Sequence, residues 1–274
     1  VLKLMNNIGV MQGRLSDKPN LALQSFPWDS WQKEFERANS IGFNQIEWLV
    51  DGYNDNDNPI ASLEGQKEIL ELSDKFSVSV NSLCAHSLID GNLLHADPLI
   101  VENAKHKFSQ ILSWASAINI EFVIFPIMDA MSIQSDYAKE KLKNILYEVV
   151  DIDHPKILLE SDLTAFQLNF FLDDVDMDNL GILYDLGNAT AMGFDIENEL
   201  RVLHADIGEV HIKDRYINNG GSVRLGNADT RFEAAVRILN DLSWQGSFVL
   251  ETPILGDWQT EAYSNFNFTA NLLN

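Results

Sequence analysis

Cations, cysteines and long apolar runs are all scarce in this chain, and each shortage excludes something. Lys and Arg number 19 against 41 Asp and Glu, a formal net charge of −22. A surface this acidic repels a phosphate backbone, so nucleic acid is not an expected partner. A small anionic substrate, which needs only a local basic pocket, is not excluded, and divalent cations are attracted. Cys84 is the one cysteine. It permits no disulfide within the chain and no Cys-rich zinc site. No apolar run approaches the roughly 18 residues of a membrane span, and the opening Val-Leu-Lys-Leu-Met-Asn-Asn is too short and polar for a signal peptide. The expected location is the cytoplasm, with no membrane partner. No linker, low-complexity tract or charge block divides the sequence, so 1–274 reads as one domain. With 46% hydrophobic residues it is globular.

What the sequence does contain is alternation. Apolar or β-branched runs occur at 8–11, 45–49, 78–83, 122–125, 156–159, 182–184, 209–212 and 247–250. Helical patterns follow at 28–41, 61–76, 98–118, 135–150, 165–173, 196–204, 230–242 and 258–272. In the first of these, Trp31, Phe35 and Ala38 share a face, and Gly42 stops the helix. Pro98 suits the first turn of the third. Eight strand-helix units predict a single (β/α)8 barrel, with ends that meet. An open doubly wound sheet is the alternative, but no G-x-G-x-x-G follows the first strand.

Four of these strands end in the same way. The fifth ends "KILLE" on Glu160, the sixth "ILYD" on Asp185, the seventh carries His211 in "EVHIKD", and the eighth ends "SFVLE" on Glu251. Glu160 and Asp185 are 25 positions apart and Asp185 and His211 are 26 apart, which is one strand-helix unit each time. Glu251 follows after 40, because "RYINNGGSVRLGNAD" lengthens the seventh loop. An isolated acid at a strand end is usually a helix cap or loop residue. Four in register at the carboxyl rim of a barrel converge on one volume. Three carboxylates there repel unless a cation neutralises them. Two Glu, one Asp and one neutral His suit one divalent metal ion: Mn²⁺, Mg²⁺, Co²⁺ or Zn²⁺.

The ordered motifs "LLE", "YDLGN", "VHIKD" and "VLE" resemble those of the xylose isomerase-like barrels, and "GFNQIEW" and "RLGNADTRFEAAVRIL" resemble the sugar-phosphate isomerase/epimerase branch. The resemblance spans nearly the whole chain. It implies an isomerase or 3-epimerase of a ketose or ketose phosphate, with Glu160 and Glu251 binding metal and moving protons, and with Asp185 and His211 as ligands only. The chemistry is sensible on its own terms. Inverting a carbon beside a carbonyl needs a proton removed from one face and returned on the other, which two opposed carboxylates can do. The resemblance equally admits a dehydratase of an inositol-like ketone. An AP endonuclease fails on charge and on its shortage of histidines. A scaffold that merely kept the fold has no reason to cluster three carboxylates. Asn188 stands where some ketose epimerases carry His, which by resemblance makes a free-sugar epimerase the less expected, and Asn227-Ala228 stand where Glu-Gly is frequent, a departure from the usual phosphate-contact pattern.

Further substrate contacts are expected around the rim. His86, in "SLCAH", is placed to face the site. Glu47 suits a sugar hydroxyl or a buried basic partner. Lys213, Arg215 and Arg224 surround the seventh loop, where barrels often hold phosphate, although each alone reads first as a solvated surface charge. Gly220, Gly221 and Gly226 would let backbone N–H groups approach an anion. Trp28, Trp31 and Trp48 suit a sugar wall or the core, and Arg14 in "MQGRLS" lies at the rim. A homo-oligomer is compatible with all of this.

Overall fold

The runs that read as strands pair in parallel, in sequence order. In a computed structural model, which describes residues 7–17, 24–151, 153–218 and 220–274, they are β1 (Ile8–Met11), β2 (Gln45–Leu49), β3 (Ser79–Cys84), β4 (Phe122–Ile127), β5 (Lys156–Ser161), β6 (Leu180–Asp185) and β7 (Ile207–Ile212). A short antiparallel pair, β8 (Asp214–Arg215) and β9 (Ser222–Val223), follows, and then β10 (Ser247–Leu250). The order β1-β10-β7-β6-β5-β4-β3-β2 closes on itself. The expected (β/α)8 barrel is the observed one. Residues 1–6, where no signal peptide was expected, lie outside the described residues.

Helices α1 (Trp31–Ile41), α2 (Leu63–Phe76), α3 (Pro98–Ala117), α4 (Asp136–Val149), α5 (Ala165–Val175), α7 (Ile196–Leu203), α8 (Phe232–Asp241) and α9 (Trp258–Leu272) lie in the connections and after β10. Their starts carry local signals: Asp97 caps α3 ahead of Pro98, and Thr164 forms a capping box with Gln167 on α5. An extra short helix, α6 (Leu186–Ala191), begins straight after β6, capped by Asp185 itself. No helix among the described residues is long and apolar enough to cross a membrane.

The main core lies between the outer faces of the strands and the helices, with pairs such as Phe108 on Phe125, centroids 4.9 Å apart. Because side chains alternate along a strand, residues two apart face the same side. Ile124, Leu158 and Leu183, with Phe122, form a separate small apolar cluster. Elsewhere hydrogen bonds cross between strands: Gln45 Nε2 donates to Glu209 Oε2 (3.5 Å) and Ser247 Oγ donates to the same oxygen (3.0 Å). The lumen is therefore half oil and half polar network. Glu160 stands two residues above Leu158, Asp185 two above Leu183, and His211 two above Glu209.

Candidate metal and acid-base site

Alternation carries Glu160, Asp185, His211 and Glu251 to one place. Each is buried, and each offers a ligand atom such that all four atoms lie within 4.8 Å of one another. Register explains the convergence, since Asp185 pairs with His211 across β6 and β7, and the backbone N–H of Glu251 donates to the Ile212 carbonyl. Asp185 fills both roles open to a strand-end acid. Its Oδ1 accepts the Asn188 N–H at 2.8 Å as helix cap. Its buried Oδ2 accepts no hydrogen bond, although Lys213 Nζ lies 2.9 Å away. Three buried carboxylates and an imidazole nitrogen converging on one point form a donor set that fits a divalent cation.

The imidazole of His211 is wholly buried, and both its nitrogens face carboxylates. Nδ1 lies 3.0 Å from Glu251 Oε2, and Nε2 lies 3.0 Å from Glu47 Oε2. Burial would lower its pKa, but Glu47 and Glu251 overcome this and raise it well above the usual range. Glu47 was read as either a sugar contact or the buried partner of a basic residue. The structure places it beneath His211, where it fixes the ring, so that Nδ1 is the nitrogen turned to the site. A second possible ligand group, Glu47, Glu209 and His211, sits deeper. There burial, then the Glu47 charge, push the Glu209 carboxyl well above its ordinary value. A proton shared between two acids accounts for that pair without a metal.

Lys213 is not a surface charge. It is buried, its Nζ 2.7 Å from Glu251 Oε2 and 2.9 Å from Asp185 Oδ2. Burial would lower its pKa, and Asp185 and Glu251 raise it instead. Gly187 makes room for it: a Cβ there would meet Lys213 Cβ and its carbonyl oxygen, both at 2.8 Å. This explains the glycine of "DLGN". The two glutamates are driven apart. Burial, then Glu251 and Asp185, push Glu160 up to about 8. Burial would raise Glu251 as well, but Lys213 and His211 hold it well below the usual carboxylate range.

The first loop supplies Arg14 and Gln24. Gln24 Nε2 donates to Glu251 Oε1, and Arg14 Nη2 donates to Gln24 Oε1 at 2.7 Å. Glu34 of α1 braces this loop by accepting from the Gly13 and Leu15 N–H groups and the Ser16 hydroxyl, while Gly13 takes a φ of 84°. His86 is partly buried past β3; burial lowers its pKa, and Glu251 opposes this. Asn188 Nδ2 donates to Glu160 Oε1 at 2.8 Å. Arg224 is not brought to the cluster but forms a two-pronged bond with Glu261 on α9. Sequence reasoning missed Gln24 and Glu209. The spacing Glu209, His211, Lys213 was the available signal for Glu209, because residues two apart on β7 share a face.

The family profile described as xylose isomerase-like TIM barrel matches residues 35–271. The chain belongs to this family. No curated protein matches the sequence. Among solved structures, the IOLI protein with a binding zinc atom superposes with a TM-score of 0.76 at 15% identity, covering 97% of this chain and 98% of that one. The 3-keto-D-glucoside 4-epimerase of E. coli gives 0.72 at 16% identity, with 97% and 98% covered. D-Psicose 3-epimerase with D-tagatose, from Clostridium cellulolyticum H10, gives 0.70 at 16%, with 98% and 99% covered. At these identities the likeness is one of fold. This xylose isomerase-like barrel carries a buried Glu/Asp/His cluster able to hold a metal ion.

Proposed function

We propose that the protein is a divalent-metal-dependent epimerase or isomerase of an uncharged ketose, with Glu160 and Glu251 as its proton-transfer pair. The observation that carries this is the convergence of four ligand atoms in which two belong to glutamates from different strands. Glu160, Asp185, His211 Nδ1 and Glu251 would hold the ion. When bound, Mn²⁺, Mg²⁺, Co²⁺ or Zn²⁺ supplies charge neutralisation and polarises the ketone.

The residues divide the remaining work. Glu251, flanked by Lys213 and His211, is ionised and suited to take the proton from the carbon beside the carbonyl. Glu160, with fewer cations beside it, holds a proton more readily and suits its return on the other face. Two carboxyls whose surroundings separate their pKa values form a natural acid-base pair. In the reverse reaction the roles exchange. Asp185 binds the cation and caps α6, and Glu47 orients His211.

The way the cations near the seventh loop are used supports an uncharged substrate. Lys213 is committed to Asp185 and Glu251, Arg215 to Asn188 and the Gly220 carbonyl, and Arg224 to Glu261. The N–H groups of Asn227, Ala228 and Thr230 donate to the buried Asp214 carboxylate. An internal anion already fills the nest. The test is NMR in D₂O with metal-loaded protein and a panel of ketoses and ketose phosphates. Deuterium should enter a free ketose beside the carbonyl, and a Glu251→Gln substitution should slow epimerisation about 10²–10⁴-fold. Exchange confined to phosphorylated ketoses would remove the uncharged substrate. Water loss would make the enzyme a dehydratase, and turnover without solvent exchange would mean hydride transfer.

A further inference from the structure

The geometry points to Asn188 and Arg215 as a pair of positioning residues that aim the Glu160 carboxylate. This rests on the reading of Glu160 as a proton-transfer residue. A guanidinium has donors only, so the amide oxygen of Asn188 must face it, and Arg215 Nη1 indeed lies 2.7 Å from Asn188 Oδ1. That contact decides which way the amide is turned. Its other end, Nδ2, then faces Glu160 Oε1 at 2.8 Å and can only donate. One oxygen of Glu160 is thus fixed as an acceptor, and Oε2 is left for the reacting carbon or a cation.

Both ends of the relay are anchored. The Asn188 N–H donates to Asp185 Oδ1 (2.8 Å) in the first turn of α6. Arg215 Nε donates to the Gly220 carbonyl (2.9 Å), and its backbone N–H donates to Thr230 Oγ1 (3.3 Å). Asp214, next to it, ties down the far side of the loop through the N–H groups of Asn227, Ala228 and Thr230. The β8–β9 pair therefore sets the direction of an acid on β5.

The variants are Arg215→Met, Arg215→Lys, Asn188→Ala and the double Arg215→Met/Asn188→Ala. For the ketose that exchanges best, kcat should fall about 10²-fold in each methionine or alanine variant, as for a misplaced reacting group, with KM changed less than about twofold. The double variant should be no slower than the worse single, and Arg215→Lys should recover part of the rate. Additive losses, or a loss confined to KM for phosphorylated ketoses, would overturn the assignment. Two readouts stand apart from turnover: Mn²⁺ titration calorimetry, and a crystal structure of Arg215→Met. If the wild-type protein turns over no ketose, the proposed function fails while these still decide the relay. A turned Asn188 amide with a displaced Glu160 and weakened Mn²⁺ binding supports it. An unmoved Glu160 with unchanged Mn²⁺ affinity refutes it.

Discussion

Glu160→Gln should make the metal-free protein more stable above neutral pH while removing the proposed proton-transfer group. The carboxyl is 8% exposed and its pKa is pushed from 4.5 to about 8, first by burial and then by Glu251 and Asp185. Above pH 4.5 the unfolded chain has released this proton, and the native protein keeps it until about 8. The native state then binds more protons, so stability falls as pH rises through this window, by at most about 1.4 kcal/mol per unit. The full gap is worth about 5 kcal/mol, or roughly 10 °C in Tm for a chain of this size. Gln is neutral at every pH and can still accept the Asn188 N–H. The assay is thermal or urea unfolding of chelated wild-type and variant proteins between pH 5 and 9. Their difference should be small at pH 5 and grow in the variant's favour towards pH 8, while groups common to both cancel. A difference that stays flat across pH 5–8, or a variant less stable throughout, would refute the reasoning. Saturating Mn²⁺ should reverse the order, because the cation favours the ionised glutamate.

Three further outcomes are expected. His211→Ala and Asp185→Ala should each lose stoichiometric metal by elemental analysis, and chelating the wild-type protein should lower its Tm, since a ligand at 100 times its Kd adds about 2.7 kcal/mol; an unchanged melting curve after verified removal would count against the site. Glu47→Gln keeps a partner for His211 Nε2 but removes the charge that orients and polarises the ring, so Mn²⁺ affinity should fall about tenfold in a titration, with little change in the far-ultraviolet spectrum. Gly187→Ala should push Lys213 off its position at a cost of about 1–3 kcal/mol, read as a lower midpoint in urea.

The strands and the four clustered residues were legible because a repeated register leaves a repeated signature: "LLE", "LYD", "EVH" and "VLE" recur unit by unit. The partners of those residues were much less so. Lys213 reads from composition as one of 19 cations, and only the pleat of β7 puts it on the His211 face. Glu47 and His211 are 164 positions apart, so their bond exists only once the barrel closes. The helix α6 and the β8–β9 pair are too short for periodicity to show. Side-chain bonds to backbone N–H groups hold them: Asp185 caps α6, and Asp214 of β8 accepts from Asn227, Ala228 and Thr230.

The half-polar lumen bears on how the barrel finds its alignment. Sliding one strand by two residues past its neighbours preserves the pleat and keeps apolar side chains facing the helices, so shape alone discriminates weakly against it. For β7 such a slide in one direction would carry the Glu209 carboxyl into the place of His211, between Glu47 and Glu251. An uncompensated buried charge costs about 3–5 kcal/mol, comparable to a large share of a domain's net stability. Mis-registered barrels would thereby be disfavoured by charge. Replacing Glu209 and Glu47 together by apolar residues should yield a chain that still collapses but refolds with additional slow phases, the mark of strands trapped out of step.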